Sequence, residues 1–443
     1  MSEVARHALV VGLAVTGASL ARELRARGVM VTAIDDRTEE DLKQRAADLD
    51  VEVVLAPDAV ELGRLLDTVD LVLPSPGVPA HHPVFAMAAA RGLRVWSEFE
   101  LAARWSDLPL VAITGTNGKT TVTTLVTDML ARAGRRVAAV GNTPVPLIDV
   151  LDDDLDVAVV EASSFRLQFT ETFRPAVAVW LNLDEDHFDW HGSMSAYAAA
   201  KARIWAQQRP EDLAIVNADD PAVMAAAVSA PGRVLTFGLN EGDYHVGGGL
   251  LVGPAGAEIA AVADLPRRLP HDLSNALAAS AAALAAGGTV AACRAVLMEF
   301  RGLPHRVSLV SDAGGVQYYD DSKATTPASV LAATRGFASV VLIAGGRNKG
   351  LDLSVLGRAV PPVRAVVAIG EAQEEVSAAF AGRVPVARAA SMQEAVAAAS
   401  SLARPGDAVL LSPGCASFDW YRSYGERGDD FARCVRALVA AAS

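Results

Sequence analysis

Cysteine is scarce in this sequence. The 443 residues hold three, Cys293, Cys415 and Cys434, far apart and without paired spacing. This excludes a disulfide scaffold and a cysteine-built metal module, and it fits a reducing cytoplasm. They read as small core residues, with Cys415 beside a candidate site only through its neighbours. Aromatic residues make up only 5%. No apolar run is long and charge-free enough to span a bilayer, and Met1 to His7 lacks a secretory layout. Positive charge is in deficit: 39 Lys and Arg stand against 52 Asp and Glu, a net charge of −13. That argues against a general nucleic-acid surface. No short repeat of fixed period is present. What is abundant is alanine and valine: hydrophobic residues reach 51% and mean hydropathy is +0.27. The chain exceeds one ordinary core, so two or three globular domains are expected.

The most informative stretch is Ile113-Thr114-Gly115-Thr116-Asn117-Gly118-Lys119-Thr120-Thr121. Apolar Leu110 to Ile113 reads as a buried strand, and Val122 to Arg132 as a helix. Strand, glycine turn, lysine, hydroxyl and helix, in that order, make a phosphate-binding loop. Glycines let backbone N–H groups crowd an anion, and the helix start adds unpaired donors. Lys119 can reach terminal phosphates and Thr120 can offer a hydroxyl to magnesium. Ile113 stands where the general pattern has its first glycine. The bland alternative, a glycine turn with a chance lysine, leaves that order unexplained.

Upstream, strand Ala8 to Val11 runs into Gly12-Leu13-Ala14-Val15-Thr16-Gly17, a helix to Arg27, and a strand Val29 to Ile34 ending at Asp35-Asp36-Arg37. This is a βαβ unit with an imperfect dinucleotide-type turn, since Ala14 holds the second glycine position. A turn without any ligand is an equal reading of it. Leu71 to Leu73 is a further strand, opening into Pro74-Ser75-Pro76-Gly77, and Val95 to Glu98 reads as a connection onward. Downstream, strands are expected at Val137 to Val140, Val157 to Val160, Ala176 to Asn182 and Leu213 to Asn217. Glu161 follows the second of these, where a carboxylate can hold magnesium or cap a helix. Leu183 to His191 holds two histidines and four acids; zinc is conceivable, but phosphate chemistry favours magnesium. Lys201 lies in a helix read from Tyr197 to Gln207, where a surface lysine is the ordinary reading. Gly247 to Gly256 reads as a hairpin region and Leu273 to Ala286 as an alanine-rich helix. A boundary falls near Phe300 to Pro304. Beyond it, strands at Val316, Val340, Ala365 and Ala408 each end in polar turns, giving a third, mostly parallel α/β unit.

Taken together these stretches resemble the Mur ligases over essentially the whole chain. Besides the phosphate loop, the marks are Glu161-Ala162-Ser163-Ser164-Phe165, Asn182 to His187, Gly302-Leu303-Pro304-His305-Arg306, Asp321-Ser322-Lys323-Ala324-Thr325 and Ser412 to Asp419. The last three, with Ser75-Pro76-Gly77, are similar to the glutamate-adding branch. The resemblance implies an α/β chain of three domains. These are a Rossmann-like domain for the uridine-linked substrate (1–96), a central P-loop ATPase-type domain (97–301) and a C-terminal Rossmann-like domain for glutamate (302–443). It implies ATP as co-substrate, Mg2+ as cofactor, and small-molecule substrates as partners, with a monomer expected and neither nucleic acid nor a membrane span. It also implies an acyl-phosphate reaction, in which a substrate carboxylate attacks ATP and the amine of glutamate then displaces phosphate.

By the same likeness, residues 115–121 with Asn275, Arg306 and Asp321 hold ATP. Thr120, Glu161, His187 and Lys201, the last as a carbamate, hold magnesium, and Lys119, Glu161, His187 and Lys201 are the catalytic set. Leu13, Thr16, Asp36, Arg37, Ser75, Pro76, Gly77, Asn142 and Ser163 face the uridine-linked substrate. Lys323, Thr325, Lys349, Ser417, Phe418 and Tyr424 receive glutamate, although plain packing also accounts for Tyr424. Three departures stand out: Thr143-Pro144 where the family has isoleucine and glycine, Asp272 where asparagine is usual, and Asp36 where threonine is frequent. A relative using L-glutamate or another amino acid, or a non-catalytic nucleotide binder, are the alternatives. Joint retention of Lys119, Glu161, His187, Lys201 and Lys323 argues against the binder, and the uridine-type first domain against a folylpolyglutamate synthase.

Overall fold

The strand runs of the sequence fall into sheets that are parallel or mostly parallel. A computed structural model describes residues 4–442, so Met1 to Glu3 of the N-terminal segment lie outside the described residues. The chain divides into two units, residues 1–265 with 273–299, and residues 266–272 with 300–443.

The first unit holds three sheets. Strands β1 (His7–Val11), β2 (Met30–Asp35), β3 (Glu52–Leu55), β4 (Leu71–Pro74) and β5 (Arg94–Val95) form a parallel sheet in the order β3-β2-β1-β4-β5. The chain moves outward from β1 to β3, then crosses to the other side. The carboxyl ends of β1 and β4 therefore flank a crevice, the usual ligand position in such sheets. Strands β6 (Leu110–Thr114), β7 (Val137–Gly141), β8 (Val157–Glu161), β9 (Val177–Trp180), β10 (Leu213–Asn217) and β11 (Arg233–Phe237) form a second parallel sheet, β11-β10-β9-β6-β8-β7. Here β6 lies between β8 and β9, so the turns after these three strands are neighbours. Helices cover both faces, which is why the strands read as unbroken apolar runs: Ala112, Ile113, Ala158, Val159 and Val160 are fully buried. The glycine-rich stretch forms part of an antiparallel sheet of β12 (His245–Gly247), β13 (Leu250–Gly253) and β14 (Ala257–Ala261).

The second unit has one six-stranded sheet, β15 (Ser308–Ala313), β16 (Val316–Asp320), β17 (Val340–Gly345), β18 (Val363–Ile369), β19 (Val386–Ala389) and β20 (Ala408–Leu411). Its order is β15-β16-β20-β17-β18-β19, with only the β15–β16 pair antiparallel. The polar turns after β16, β17 and β20 again sit where the strand order reverses.

Two local readings are adjusted. The segment read as a connection at Val95 to Glu98 ends an edge strand and begins a helix, Glu98–Trp105. The helix bearing Lys201 spans Met194–Ala202. It starts earlier than expected because Ser193 accepts the Ala196 N–H as its N-cap.

Candidate functional site

At the crevice of the first sheet, Gly12 takes φ +84°, a conformation side chains resist. Its carbonyl accepts the Ser75 hydroxyl at 2.6 Å, tying the β1 and β4 turns together. The Leu13 N–H donates to Asp35 Oδ2 at 2.9 Å. Arg37 donates through Nε to Asp35 Oδ1 at 2.9 Å and through Nη2 to Oδ2 at 3.0 Å. Burial works to raise the Asp35 pKa, but Arg37 and the two backbone donors hold the carboxyl below its ordinary value. Asp36 Oδ1 lies 3.2 Å from His82 Nε2. Leu13, Thr16, Asp36, Arg37 and Ser75 thus lie just past the carboxyl ends of β1, β2 and β4.

In the second sheet, Gly118 adopts φ +86°, and a side chain there would start 2.6 Å from Asn275 Oδ1. Asn275 is therefore packed directly on the phosphate loop. The helix Lys119–Arg132 begins at once after that glycine. Asn182, after β9, accepts the Asn117 N–H at 2.8 Å and donates to the Asn117 carbonyl at 3.2 Å. Lys119 Nζ donates to the Gly115 and Thr116 carbonyls at 2.8 and 2.9 Å. Lys201 Nζ donates to the same Gly115 carbonyl at 2.8 Å. Lys201 is 1% exposed, not a surface lysine. Burial first, then the Lys119 charge, push its pKa well below the usual lysine range.

Glu161 ends β8, paired in register with Ile113. It is buried. Oε1 accepts the Asn142 amide at 2.8 Å, while Oε2 is buried with no hydrogen-bond partner. An ionised oxygen in that position calls for a cation. Ser163 Oγ is also buried without a partner. His187 has φ +55° and packs edge-on to Phe165, with ring centroids 4.7 Å apart. Among the described residues no group of three or more His, Cys, Asp and Glu converges as a metal cage. The donors that fit a hard cation here are the open Glu161 oxygen, a hydroxyl and oxygen-bearing groups.

In the second unit, Asp321 accepts Ser412 Oγ at 2.7 Å and the Val307 N–H at 3.3 Å. Burial pushes its pKa up to about 7. Lys323 Nζ lies 4.0 Å over the Tyr424 ring, and Lys349 Nζ lies 5.8 Å from the Phe418 ring centroid. Ser417 is buried while Phe418 and Tyr424 are exposed. The turns carrying Lys323 and Ser417 are joined by Arg427, 1% exposed. Its guanidinium donates to Ser322 Oγ and Ser322 O, each at 2.9 Å, and to Cys415 O at 3.1 Å. Arg306 belongs to this unit; Asn275 and the phosphate loop belong to the first.

Motif reading singles out none of Arg427, His82, Glu98 or Arg166. Their partners are distant in sequence, and only a buried ionisable residue, invisible without the fold, would flag them.

Three family descriptions match the chain in order: "Mur ligase MurD-like, N-terminal domain" over residues 6–97, "Mur ligase middle domain" over 113–283, and "Mur ligase, glutamate ligase domain" over 305–415. A protein of Desulfosudis oleivorans named UDP-N-acetylmuramoylalanine--D-glutamate ligase is 44% identical over 448 residues, covering 98% of this chain and 96% of its own. A protein of the same name from Frankia casuarinae is 44% identical, covering 97% and 93%. Among solved structures, a pseudomurein peptide ligase type C from Methanothermus fervidus superposes with a TM-score of 0.60 at 18% identity, over 98% of this chain and 100% of that one. At that identity the likeness speaks for the fold.

Proposed function

The chain belongs to the Mur ligase family, and from that premise we propose that it joins D-glutamate to UDP-N-acetylmuramoyl-L-alanine at the expense of ATP, in peptidoglycan precursor synthesis. The observation that carries this reading is the pairing of β6 with β8, which sets the buried, open oxygen of Glu161 beside the strand that opens the phosphate loop. Relatives bearing the glutamate-ligase name align over nearly the full chain.

In this reading the substrate carboxylate attacks the γ-phosphorus of ATP and ADP leaves. The amine of glutamate then attacks the acyl phosphate, and phosphate departs. Catalysis is mainly alignment and charge neutralisation. Loop N–H groups from Gly115 to Thr121 cradle the phosphates. Lys119 exchanges its two carbonyl partners for phosphate oxygens. Thr120, Glu161, His187 and Lys201 as a carbamate would hold magnesium, which when bound offsets phosphate charge. Asn275, Arg306 and Asp321 hold the remainder of ATP. Leu13, Thr16, Asp36, Arg37, Ser75 to Gly77, Asn142 and Ser163 face the uridine-linked substrate. Lys323, Thr325, Lys349, Ser417, Phe418 and Tyr424 receive glutamate, the two ammonium groups matching its two carboxylates. The segments 1–96, 97–301 and 302–443 divide these tasks.

No helix among the described residues is long and apolar enough to cross a membrane, and all three cysteines are free and buried; the cytoplasm suits both. One chain carries every named group, so a monomer suffices. The test is incubation with UDP-N-acetylmuramoyl-L-alanine, ATP and Mg2+, offering D- and L-glutamate separately, with phosphate release and product mass followed. No product with either isomer refutes the reading, and product with L-glutamate alone replaces it.

A further inference from the structure

Between the first two sheets lies a narrow cleft bordered by Thr16, Ser75, Ser97, Glu98, Phe165 and Arg166. Two of these are charged and almost wholly buried: Glu98 is 1% exposed and Arg166 5%. Arg166 Nε stands 2.8 Å from Glu98 Oε1. Burial raises the Glu98 pKa to about 7 against the pull of Arg166. A buried pair of this kind is seldom retained for stability alone, since desolvation consumes most of the attraction.

The rest of the guanidinium is committed in two directions. Nη2 donates to Thr16 Oγ1 at 3.1 Å, in the first-sheet turn, across 150 positions of sequence. Nη1 donates to Asn142 Oδ1 at 3.0 Å. Arginine has donors only, so the Asn142 amide must turn its oxygen to Arg166. Its nitrogen therefore points to Glu161, where it donates to Oε1 at 2.8 Å. The orientation of Asn142 follows from the arginine rather than from choice of assignment. The consequence reaches Glu161: Oε1 is occupied, and Oε2 is the oxygen left open.

We propose that Arg166 is a positioning residue that couples the substrate turn at Thr16 to the Glu161 carboxylate through Asn142, with Glu98 as its buried counter-charge. The inference rests on the preceding reading that Thr16 faces the uridine-linked substrate and Glu161 faces a cation. Substrate that fixes Thr16 fixes Arg166, hence the Asn142 amide and the open oxygen. By linkage the effect is reciprocal, so cation binding tightens substrate binding by the same factor.

The test compares wild type with Arg166→Lys and with the pair Arg166→Met/Glu98→Gln, in which no lone buried carboxylate remains. Binding of Mn2+ with ADP is titrated by electron paramagnetic resonance, with and without saturating UDP-N-acetylmuramoyl-L-alanine. Binding of that substrate is measured by calorimetry, and thermal midpoints are recorded. In wild type, substrate should tighten Mn2+ by about fivefold or more. In the double variant both ligands still bind, but the ratio falls to about one. Arg166→Lys also loses it, because an ammonium cannot hold the fork. An unchanged ratio in the variants overturns the proposal, even if their midpoints fall and both ligands weaken equally, since that pattern is structural. A wild type that binds Mn2+ with ADP and the substrate without mutual effect overturns it as well. Failure of wild type to bind the substrate at all instead removes the functional reading, and this inference with it.

Discussion

Replacing Arg427 by methionine isolates what a buried guanidinium does for the turns of the second unit. The side chain is 1% exposed, and among the described residues no carboxylate lies within ion-pair distance; Asp419 and Asp320 act on it only through space. Burial pushes its pKa from 12.5 down to about 10. That shift corresponds to about 3 kcal/mol spent on keeping the charge inside, which methionine would recover. Against this stand three acceptors, Ser322 Oγ, Ser322 O and Cys415 O, that lose their donor. Each buried acceptor left unpaired costs about 1–3 kcal/mol. The opposing contributions leave a net destabilisation of between about 0 and 6 kcal/mol, concentrated in the turns at 321–325 and 412–417. Methionine keeps the apolar stem, so packing loss is small. Two readouts follow. Hydrogen exchange should accelerate in peptides covering those turns and stay unchanged over 110–120. The KM for glutamate should rise about tenfold, as expected for about 1.4 kcal/mol of lost positioning, while the KM for UDP-N-acetylmuramoyl-L-alanine is unaffected. Equal exchange in both regions, or an unaltered KM for glutamate, would refute the view that Arg427 holds the turns carrying Lys323 and Ser417.

Three other outcomes are expected. Lys201→Ala should lower turnover by about two to three orders of magnitude, unrestored by bicarbonate but partly rescued by a short carboxylic acid; full activity without additives would exclude the carbamate. Gly118→Ala should cost about 1–2 kcal/mol for its left-handed backbone and displace Asn275, raising the KM for ATP; a normal KM would show that Asn275 is not part of that site. Asp321→Asn should change how stability depends on pH. The folded carboxyl has a pKa of about 7, above its ordinary 3.8, so between about pH 4 and 7 the folded state keeps a proton that the unfolded chain releases. Wild-type stability therefore falls as pH rises through that window. The asparagine variant lacks this slope, so relative to wild type it gains from pH 5 to pH 8; parallel urea-unfolding curves would contradict the burial argument.

How much of this was legible in the sequence depends on whether a residue's partner is near in the chain. The phosphate loop is readable because strand, glycines, lysine and helix are contiguous, and β6 with the helix Lys119–Arg132 follows the expected order. The sheets are readable because strands covered on both faces leave unbroken apolar runs. Lys201 is ambiguous locally: alanines around a lysine suit a surface helix as well as a buried one. Only the resemblance pointed inward, and the fold places the side chain against Gly115, 86 positions away. Arg427 is silent in sequence because its partner Ser322 is 105 positions distant. A helix start set by a single cap, as at Ser193, does not show in the apolar pattern.

The three departures from the family pattern each carry a local compensation. Asp272, where asparagine is usual, accepts Arg267 Nε at 2.8 Å and the Leu269 N–H at 3.2 Å. Arg267 in turn donates to Val307 O at 3.0 Å. An asparagine could accept one of these bonds but could not neutralise the arginine, so the charge at 272 belongs with the arginine at 267. Asp36 is matched by His82, which is buried. The Val84 N–H donates to His82 Nδ1 at 3.1 Å, which leaves Nε2 to carry the ring proton and face Asp36 Oδ1. A threonine at 36 would offer that N–H a weaker, uncharged acceptor. At Thr143-Pro144 the lost glycine is offset by the threonine hydroxyl. It donates to Val145 O at 3.1 Å and lies 3.3 Å from the Val145 nitrogen, closing the turn by side-chain bonds where a glycine would close it by conformational freedom. The Asn142 N–H still donates to Glu161 O at 2.9 Å, so the backbone that presents the amide to Glu161 is intact. At 272 and 36 the departure is thus half of a side-chain pair, and replacing the acid alone should weaken the protein more than replacing both members together.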